Sequence, residues 1–164
     1  MFDIFGELNS AEDMNQLACN LLAEGDIDGI RTLANENGID LEIAQAFIDG
    51  EIPFLADDMT AAIGKLDIEA EELKPVEIME DWLQYIKSQC MDDSGMAAAV
   101  RKEGKSLKGC IADLLKWSYK NMYDIPEEVT KAAGIGNAKV KLGIPGMGTA
   151  REIIRKYYLG GKHS

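Results

Sequence analysis

The fold is decided by the stretch Gly104-Lys105-Ser106-Leu107-Lys108-Gly109-Cys110-Ile111-Ala112-Asp113-Leu114-Leu115-Lys116-Trp117-Ser118-Tyr119-Lys120, which predicts a central amphipathic helix. Ser106 precedes this helix as a natural N-cap. One face repeats at three- and four-residue spacing, as a buried face does, and consists of Leu107, Cys110, Ile111, Leu114 and Ser118. Another face carries Lys108, Lys116 and Lys120, flanked by Trp117 and Tyr119. The stretch therefore predicts a helical protein with a cationic stripe.

Helix signals continue on the N-terminal side of this stretch. Three short helices are predicted by the caps Ser10, Asp26 and Asp40 and by the glycines Gly25, Gly38 and Gly50 that end them. A further helix is predicted from Leu55 to about Leu66. The pattern leaves open whether the acidic connector that follows, residues 67–74, is itself helical. Pro75 is then predicted to start a longer helix with the apolar stripe Val76, Met79, Trp82, Leu83 and Ile86.

The remaining segments complete the prediction of an all-α fold. It has an N-terminal three-helix unit, a core of two longer helices and a glycine-rich loop. Ser94 is predicted to cap a short helix before Gly104, and Pro126 to open another after the central helix. In the glycine-rich segment 134–148, residues 139–142 alternate like a short strand, which either pairs as a hairpin or covers the core. Thr149 is predicted to cap the last helix.

Charge is divided unevenly along the chain, whose net charge is −12. Residues 1–100 contain 4 basic and 23 acidic residues, whereas residues 101–164 contain 13 and 6. An acidic surface suits a basic protein groove, and a basic surface suits phosphate or an acidic partner. Partial neutralisation of the two parts within the molecule is an equal alternative. The densest acidic run, Glu69, Glu71 and Glu72, is the candidate partner-binding site, and a solvated helix face is its alternative.

Two groups of basic residues are candidates for contact with nucleic acid or phosphate. In the first group, Lys105, Lys108, Lys116 and Lys120 follow a nucleic-acid backbone while the ring of Trp117 or Tyr119 stacks on a base. The alternative is an exposed lysine face with Trp117 in the core. In the second group, glycines before a capped helix leave main-chain N–H groups free to bind an anion. This group consists of Gly146, Gly148, Thr149, Arg151 and Arg155. A simple turn is the alternative there.

Signals of catalysis are absent from the sequence, which predicts a binding protein without a cofactor. The single histidine, His163, lies in the C-terminal tail, and no Cys or His spacing indicates a metal site. Residues 41–49, in the position of a DNA-recognition helix, contain no Lys or Arg. Three dispersed cysteines and the lack of a membrane-spanning apolar run favour a cytoplasmic protein with reduced thiols.

The order of three segments resembles that of the PcfK-like proteins, which are carried by plasmids, phages and integrative elements. These segments are residues 77–87, residues 104–111 and the sequence Lys156-Tyr157-Tyr158. The resemblance begins near residue 75 and leaves Met1 to Lys74 outside it. Together with the three-helix pattern that ends at Gly50 and Pro53, it predicts two domains: an acidic N-terminal helical unit, 1–54, and a PcfK-like helical domain, 55–164.

The resemblance implies a function, because some PcfK-like proteins inhibit the RNA-guided DNA nuclease of type II CRISPR systems. The expected partner is this nuclease with its guide RNA, and the expected effect is occlusion of nucleic-acid binding or cleavage. The charge division adds that the acidic part engages a basic groove while the basic part touches nucleic acid. One alternative is an accessory DNA-binding protein of plasmid transfer that uses Lys108, Lys116, Lys120, Arg151 and Arg155. A structural helical adaptor is another.

Overall fold

The computed structural model describes residues 4–136 and 138–160, and this part of the chain is almost entirely helical. Its helices are α1 (Ala11–Ala23), α2 (Ile27–Glu36), α3 (Leu41–Ile48), α4 (Asp58–Leu73), α5 (Ile78–Asp92), α6 (Ser94–Arg101), α7 (Leu107–Lys120), α8 (Glu127–Ala132) and α9 (Met147–Leu159). The predicted all-α class is confirmed. None of the described helices is long and apolar enough to cross a membrane.

The chain folds as two compact units, residues 1–108 and residues 109–164, so that α7 begins in the first and continues into the second. The sequence-based division after residue 54 falls inside the first unit, between α3 and α4. Helices α1–α3 belong to the same unit as α4 because they share one apolar core with it. Buried residues of these helices, including Met14, Ile30 and Phe47, form one cluster with Leu55 and with Ala61 of α4.

Local capping sets the first three helices as the sequence predicts. The side chain of Ser10 accepts a hydrogen bond from the Asp13 N–H at 3.0 Å, and Asp26 accepts one from Gly29 at 2.8 Å. Asp40 caps α3 in the same way through the Glu42 N–H. Each cap satisfies a main-chain donor that the first helical turn leaves free.

The connection between α4 and α5 differs from the prediction. Residues 67–73 continue α4, so most of the acidic connector is helical, and α5 begins at Ile78 rather than at Pro75. Lys74 and Glu77 both have positive φ, +52° and +53°, which places a tight turn where helix was predicted. Val76 therefore lies outside the helix and is 60% exposed, whereas Trp82 and Ile86 of α5 are buried as predicted.

Two predicted caps are displaced by neighbouring residues. Asp93, not Ser94, caps α6, because its carboxylate accepts hydrogen bonds from the N–H groups of Gly95 and Met96 at 2.9 and 3.2 Å. The N-cap of α9 is Gly146, and Thr149 lies inside the first turn of that helix. In both places the helix begins earlier than predicted, so Ser94 and Thr149 lie inside it instead of at its N-cap.

The second unit contains the only strands of the described residues. β1 (Tyr123–Asp124) pairs antiparallel with β2 (Lys141–Leu142), with Tyr123 opposite Leu142. The strand predicted at residues 139–142 is thus present in part, but its partner lies before α8 rather than in the glycine-rich segment. Apolar burial in this unit is modest and comprises Cys110, Leu114, Ala150, Ile154 and Tyr158.

Candidate binding surfaces

The surface of the first unit is strongly acidic. Residues 1–108 contain 8 basic and 24 acidic residues, a net charge of −16, whereas residues 109–164 contain 9 and 5, a net charge of +4. Among the described acids of the first unit, Glu36 is buried and Glu69, Glu80 and Asp93 are half-buried, and the others are exposed. Few cations offset this surface, since Arg31 is the only basic residue before Lys65. Arg31 itself pairs with Asp28 at 3.5 Å.

Two basic residues of the first unit are buried and do not contribute to its surface. Lys65 is 1% exposed, and its Nζ donates to the carbonyl oxygens of Val100 and Lys105 at 2.9 and 2.7 Å. The same Nζ lies 3.1 Å from Oε1 of Glu7. Because burial of a charge is costly unless it is hydrogen-bonded, these contacts are what allow Lys65 to lie inside.

Arg101 occupies a similar position at the end of α6. Its Nε donates to the Leu8 carbonyl at 2.7 Å, its Nη1 to the Ala61 carbonyl at 3.3 Å and its Nη2 to Oδ1 of Asn37. Burial lowers the pKa of the Arg101 guanidinium to about 10, and the nearby carboxylates of Glu7 and Glu69 oppose this effect. Sequence reasoning missed both cations. A local signal existed only for Lys65, the lone basic residue of the apolar run 61–66, because Arg101 is followed directly by Lys102 and Glu103.

The structure places Glu69 apart from the other two residues of the predicted acidic site. Its Oε2 accepts a hydrogen bond from the N–H of Leu107, the first residue of α7, at 3.0 Å. Its Oε1 is buried without a hydrogen-bond partner among the described residues, and burial raises the pKa of this carboxyl. Glu69 therefore satisfies a main-chain donor at the start of α7, whereas Glu71 and Glu72 are exposed on the last turn of α4.

The lysines at the start of α7 have different surroundings. Lys105 lies before the helix and is half-buried, and its carbonyl is one of the two that accept hydrogen bonds from Lys65. Lys108 is exposed and forms no ion pair with any described residue. It borders a cavity of about 340 Å³ together with Glu69 and Glu72. Opposite charges thus share this cavity, which makes it a poor site for phosphate.

In the second unit, the rest of α7 presents lysines and an exposed aromatic ring. Lys116 lies 3.7 Å from Asp113 and remains largely exposed, and Lys120 is exposed at the last turn. Trp117 is half-buried, whereas Tyr119 is 75% exposed. Of the two rings that the sequence left as alternatives for base stacking, Tyr119 is therefore the more accessible.

The second predicted basic group lies entirely at α9 and the residue before it. Gly146 is the N-cap, Gly148 and Thr149 lie in the first turn, and Arg151 and Arg155 follow one and two turns later. Both glycines and Arg151 are exposed, whereas Thr149 and Arg155 are half-buried. The geometry leaves the start of α9 open at its surface.

None of the three cysteines is in a disulfide, and Cys19 is exposed while Cys90 and Cys110 are buried. Burial, and secondarily Asp93, raises the pKa of the Cys90 thiol to about 12. No group of three or more His, Cys, Asp or Glu side chains within residues 4–136 and 138–160 is arranged to hold a metal ion. Comparisons of the chain with protein-family models, curated proteins and solved structures gave no match.

Proposed function

We propose that this protein is a non-enzymatic, cytoplasmic inhibitor of the RNA-guided DNA nuclease of type II CRISPR systems. It binds the nuclease with its guide RNA and occludes the binding or cleavage of target DNA. The observation that carries the proposal is the exposed acidic surface of the first unit, whose carboxylates greatly outnumber the cations near them. The resemblance of residues 77–87, 104–111 and 156–158 to PcfK-like proteins supports the choice of partner.

The mechanism follows from the charge of the partner. In nucleases of this kind, the guide–target duplex lies in a positively charged channel that recognises the nucleic-acid backbone. A unit of net charge −16 whose acids are mostly exposed competes for such a channel, because its carboxylates pair with the Lys and Arg side chains that hold phosphates. Competition by charge requires no catalytic group on the inhibitor.

Glu71 and Glu72 are the first residues to alter in a test. They lie at the C-terminal turn of α4, where the helix dipole disfavours negative charge. Replacing both by Lys should therefore stabilise the helix, by about 0.3–1 kcal/mol for each residue. Loss of function in the Glu71→Lys/Glu72→Lys variant is then not attributable to unfolding.

The experiment is a DNA-cleavage assay with a purified type II nuclease and its guide RNA, titrated with this protein. We expect inhibition near equimolar inhibitor, and at least about tenfold weaker inhibition by Glu71→Lys/Glu72→Lys. The matched control is Lys108→Glu/Lys116→Glu, which reverses two charges on α7 and should inhibit nearly as well as the unaltered protein. Full cleavage by several such nucleases at excess protein contradicts the proposal.

One observation favours a second candidate, an accessory DNA-binding protein of plasmid transfer. Tyr119 is highly exposed on α7 with Lys116 and Lys120 on the same helix, a combination suited to single-stranded DNA. This candidate requires binding to bare DNA that weakens steeply with salt and is lost in Lys116→Glu/Lys120→Glu. Such binding, together with unimpaired nuclease cleavage, would favour it over the inhibitor.

A further inference from the structure

A large apolar groove in the first unit lies away from the residues considered so far. It has a volume of about 950 Å³ and is formed by α1, by Ile43 of α3 and by the segment that leads into α4. Phe54 lines this groove and is 62% exposed, which is unusual for a phenylalanine without a partner. The groove therefore offers a site for an apolar anchor.

The wall of this groove is fixed by a reciprocal pair of hydrogen bonds. The Asn15 side chain donates to the Ala56 carbonyl at 2.7 Å and accepts from the Ala56 N–H at 2.9 Å. Asp57 then caps α4 through the Thr60 N–H at 2.7 Å. The segment that carries Phe54 is thus tied to α1 at one end and to α4 at the other, so the groove is formed before any partner arrives.

The charge around this groove has one sign. Glu12, Asp57 and Asp58 line it, and none of the three forms an ion pair within the described residues. Among the described residues, no Lys or Arg lines the groove. An apolar floor with acidic edges is complementary to a segment that has apolar side chains on one face and basic side chains beside them.

We propose that this groove is the docking site for a basic amphipathic helix of a partner protein. A helix suits the site better than an extended strand, since the described part of the first unit has no sheet edge to pair with one. An apolar residue of the partner helix packs against Phe54, and its Lys or Arg side chains pair with Glu12 and Asp58. The inference goes beyond the proposed function, because it does not depend on which protein supplies the helix.

The test uses a fluorescein-labelled peptide of Leu and Lys with leucines at helical spacing, measured by fluorescence anisotropy against the full chain. We expect saturable binding that a peptide of the same composition with strictly alternating Leu and Lys does not reproduce. Cys19 supplies a second readout, because it lines the groove and is exposed while Cys90 and Cys110 are buried. Saturating helical peptide should slow its reaction with Ellman's reagent severalfold.

Variants locate the binding site. Phe54→Ala should weaken peptide binding about tenfold, whereas Val76→Ala, equally exposed outside the groove, should not change it. Glu12→Gln/Asp58→Asn should weaken binding and reduce its salt dependence, and the matched control Glu71→Gln/Glu72→Gln should retain it.

Three outcomes would overturn the proposal. The first is equal binding by Phe54→Ala and the unaltered protein, and the second is unprotected Cys19 at saturating peptide. The third is a concentration-dependent dimer that Phe54→Ala dissociates in sedimentation velocity, which would assign the groove to a second copy of the chain. Nuclease inhibition is measured in a separate assay. Failure of the peptide-binding test would therefore not contradict the proposed inhibition, and failure of inhibition would not contradict the docking site.

Discussion

Lys65 and Arg101 hold the first unit together by binding main-chain carbonyl groups more than by binding acids. Between them they join α4 and α6 to residues Glu7 and Leu8 near the N-terminus. The partners of these two cations were not predictable from the sequence, because the carbonyl oxygens that satisfy them come from segments distant in the chain. A lone Lys or Arg in the sequence is exposed far more often than not.

The buried carboxyl of Glu69 makes the stability of the first unit depend on pH. Burial raises the pKa of its carboxyl above the ordinary value of 4.5, so protonation favours the folded state. The contribution of this group to stability is therefore full below pH 4.5 and is lost as the pH rises through the folded pKa. We expect the unfolding free energy of the unaltered protein, relative to that of Glu69→Gln, to be highest near pH 4.5 and to fall towards pH 8. Urea denaturation across this range measures the difference.

The matched control for this prediction is Glu71→Gln, which removes a carboxylate from an exposed position of the same helix. The Gln at position 69 keeps an acceptor for the Leu107 N–H, so helix α7 retains its hydrogen bond. The same pH dependence for both variants would show that burial of Glu69 is not its cause.

At the scale of elements, the turn that follows α2 approaches α4 through two glycines, Gly38 in the turn and Gly64 in the helix. A Cβ on Gly64 would lie 2.3 Å from the Asn37 carbonyl oxygen, a distance that no relaxed structure tolerates. Alanine normally stabilises a helix interior by about 1 kcal/mol over glycine. Here we expect the overlap to dominate, so that Gly64→Ala destabilises the protein by about 2 kcal/mol in urea denaturation.

A glycine in another helix supplies the control for this prediction. Gly148 lies in the first turn of α9, where an added Cβ meets nothing within 4 Å. Gly148→Ala should therefore be neutral or stabilise by about 0.5 kcal/mol. If Gly64→Ala also stabilises the protein, the close approach of α4 to the turn after α2 is wrong.

The helices show which parts of the fold local sequence determines. The caps Ser10, Asp26 and Asp40 were predicted correctly, because a cap depends on residues within one turn. The start of α5 was predicted wrongly at Pro75, since two positive φ angles form a turn that no local preference of Lys74 or Glu77 favours. The partner of β2 was missed for a related reason, because a two-residue strand carries almost no pattern of its own.

At the scale of the whole molecule, composition predicted the acidic and basic parts of the chain but not which acidic side chains are buried and which are exposed. Glu69 and Glu71 are two residues apart in sequence, yet one is drawn into the fold and the other is exposed. The groove beside Phe54 was not predictable either. It is made by residues from three separate segments, and only their folded positions bring an apolar floor together with the carboxylates of Glu12, Asp57 and Asp58.

The acidic surface that suits a basic partner also opposes folding through self-repulsion. Because salt screens repulsion between exposed charges, raising NaCl from about 20 to about 300 mM should stabilise the protein by roughly 1 kcal/mol, or about 4 °C. Thermal melts followed by far-UV circular dichroism measure this shift. Glu71→Gln/Glu72→Gln removes two of the repelling charges and should raise the melting temperature at low salt while reducing the salt effect. A melting temperature that falls with added salt would mean that attractive ion pairs, not repulsion, dominate the surface.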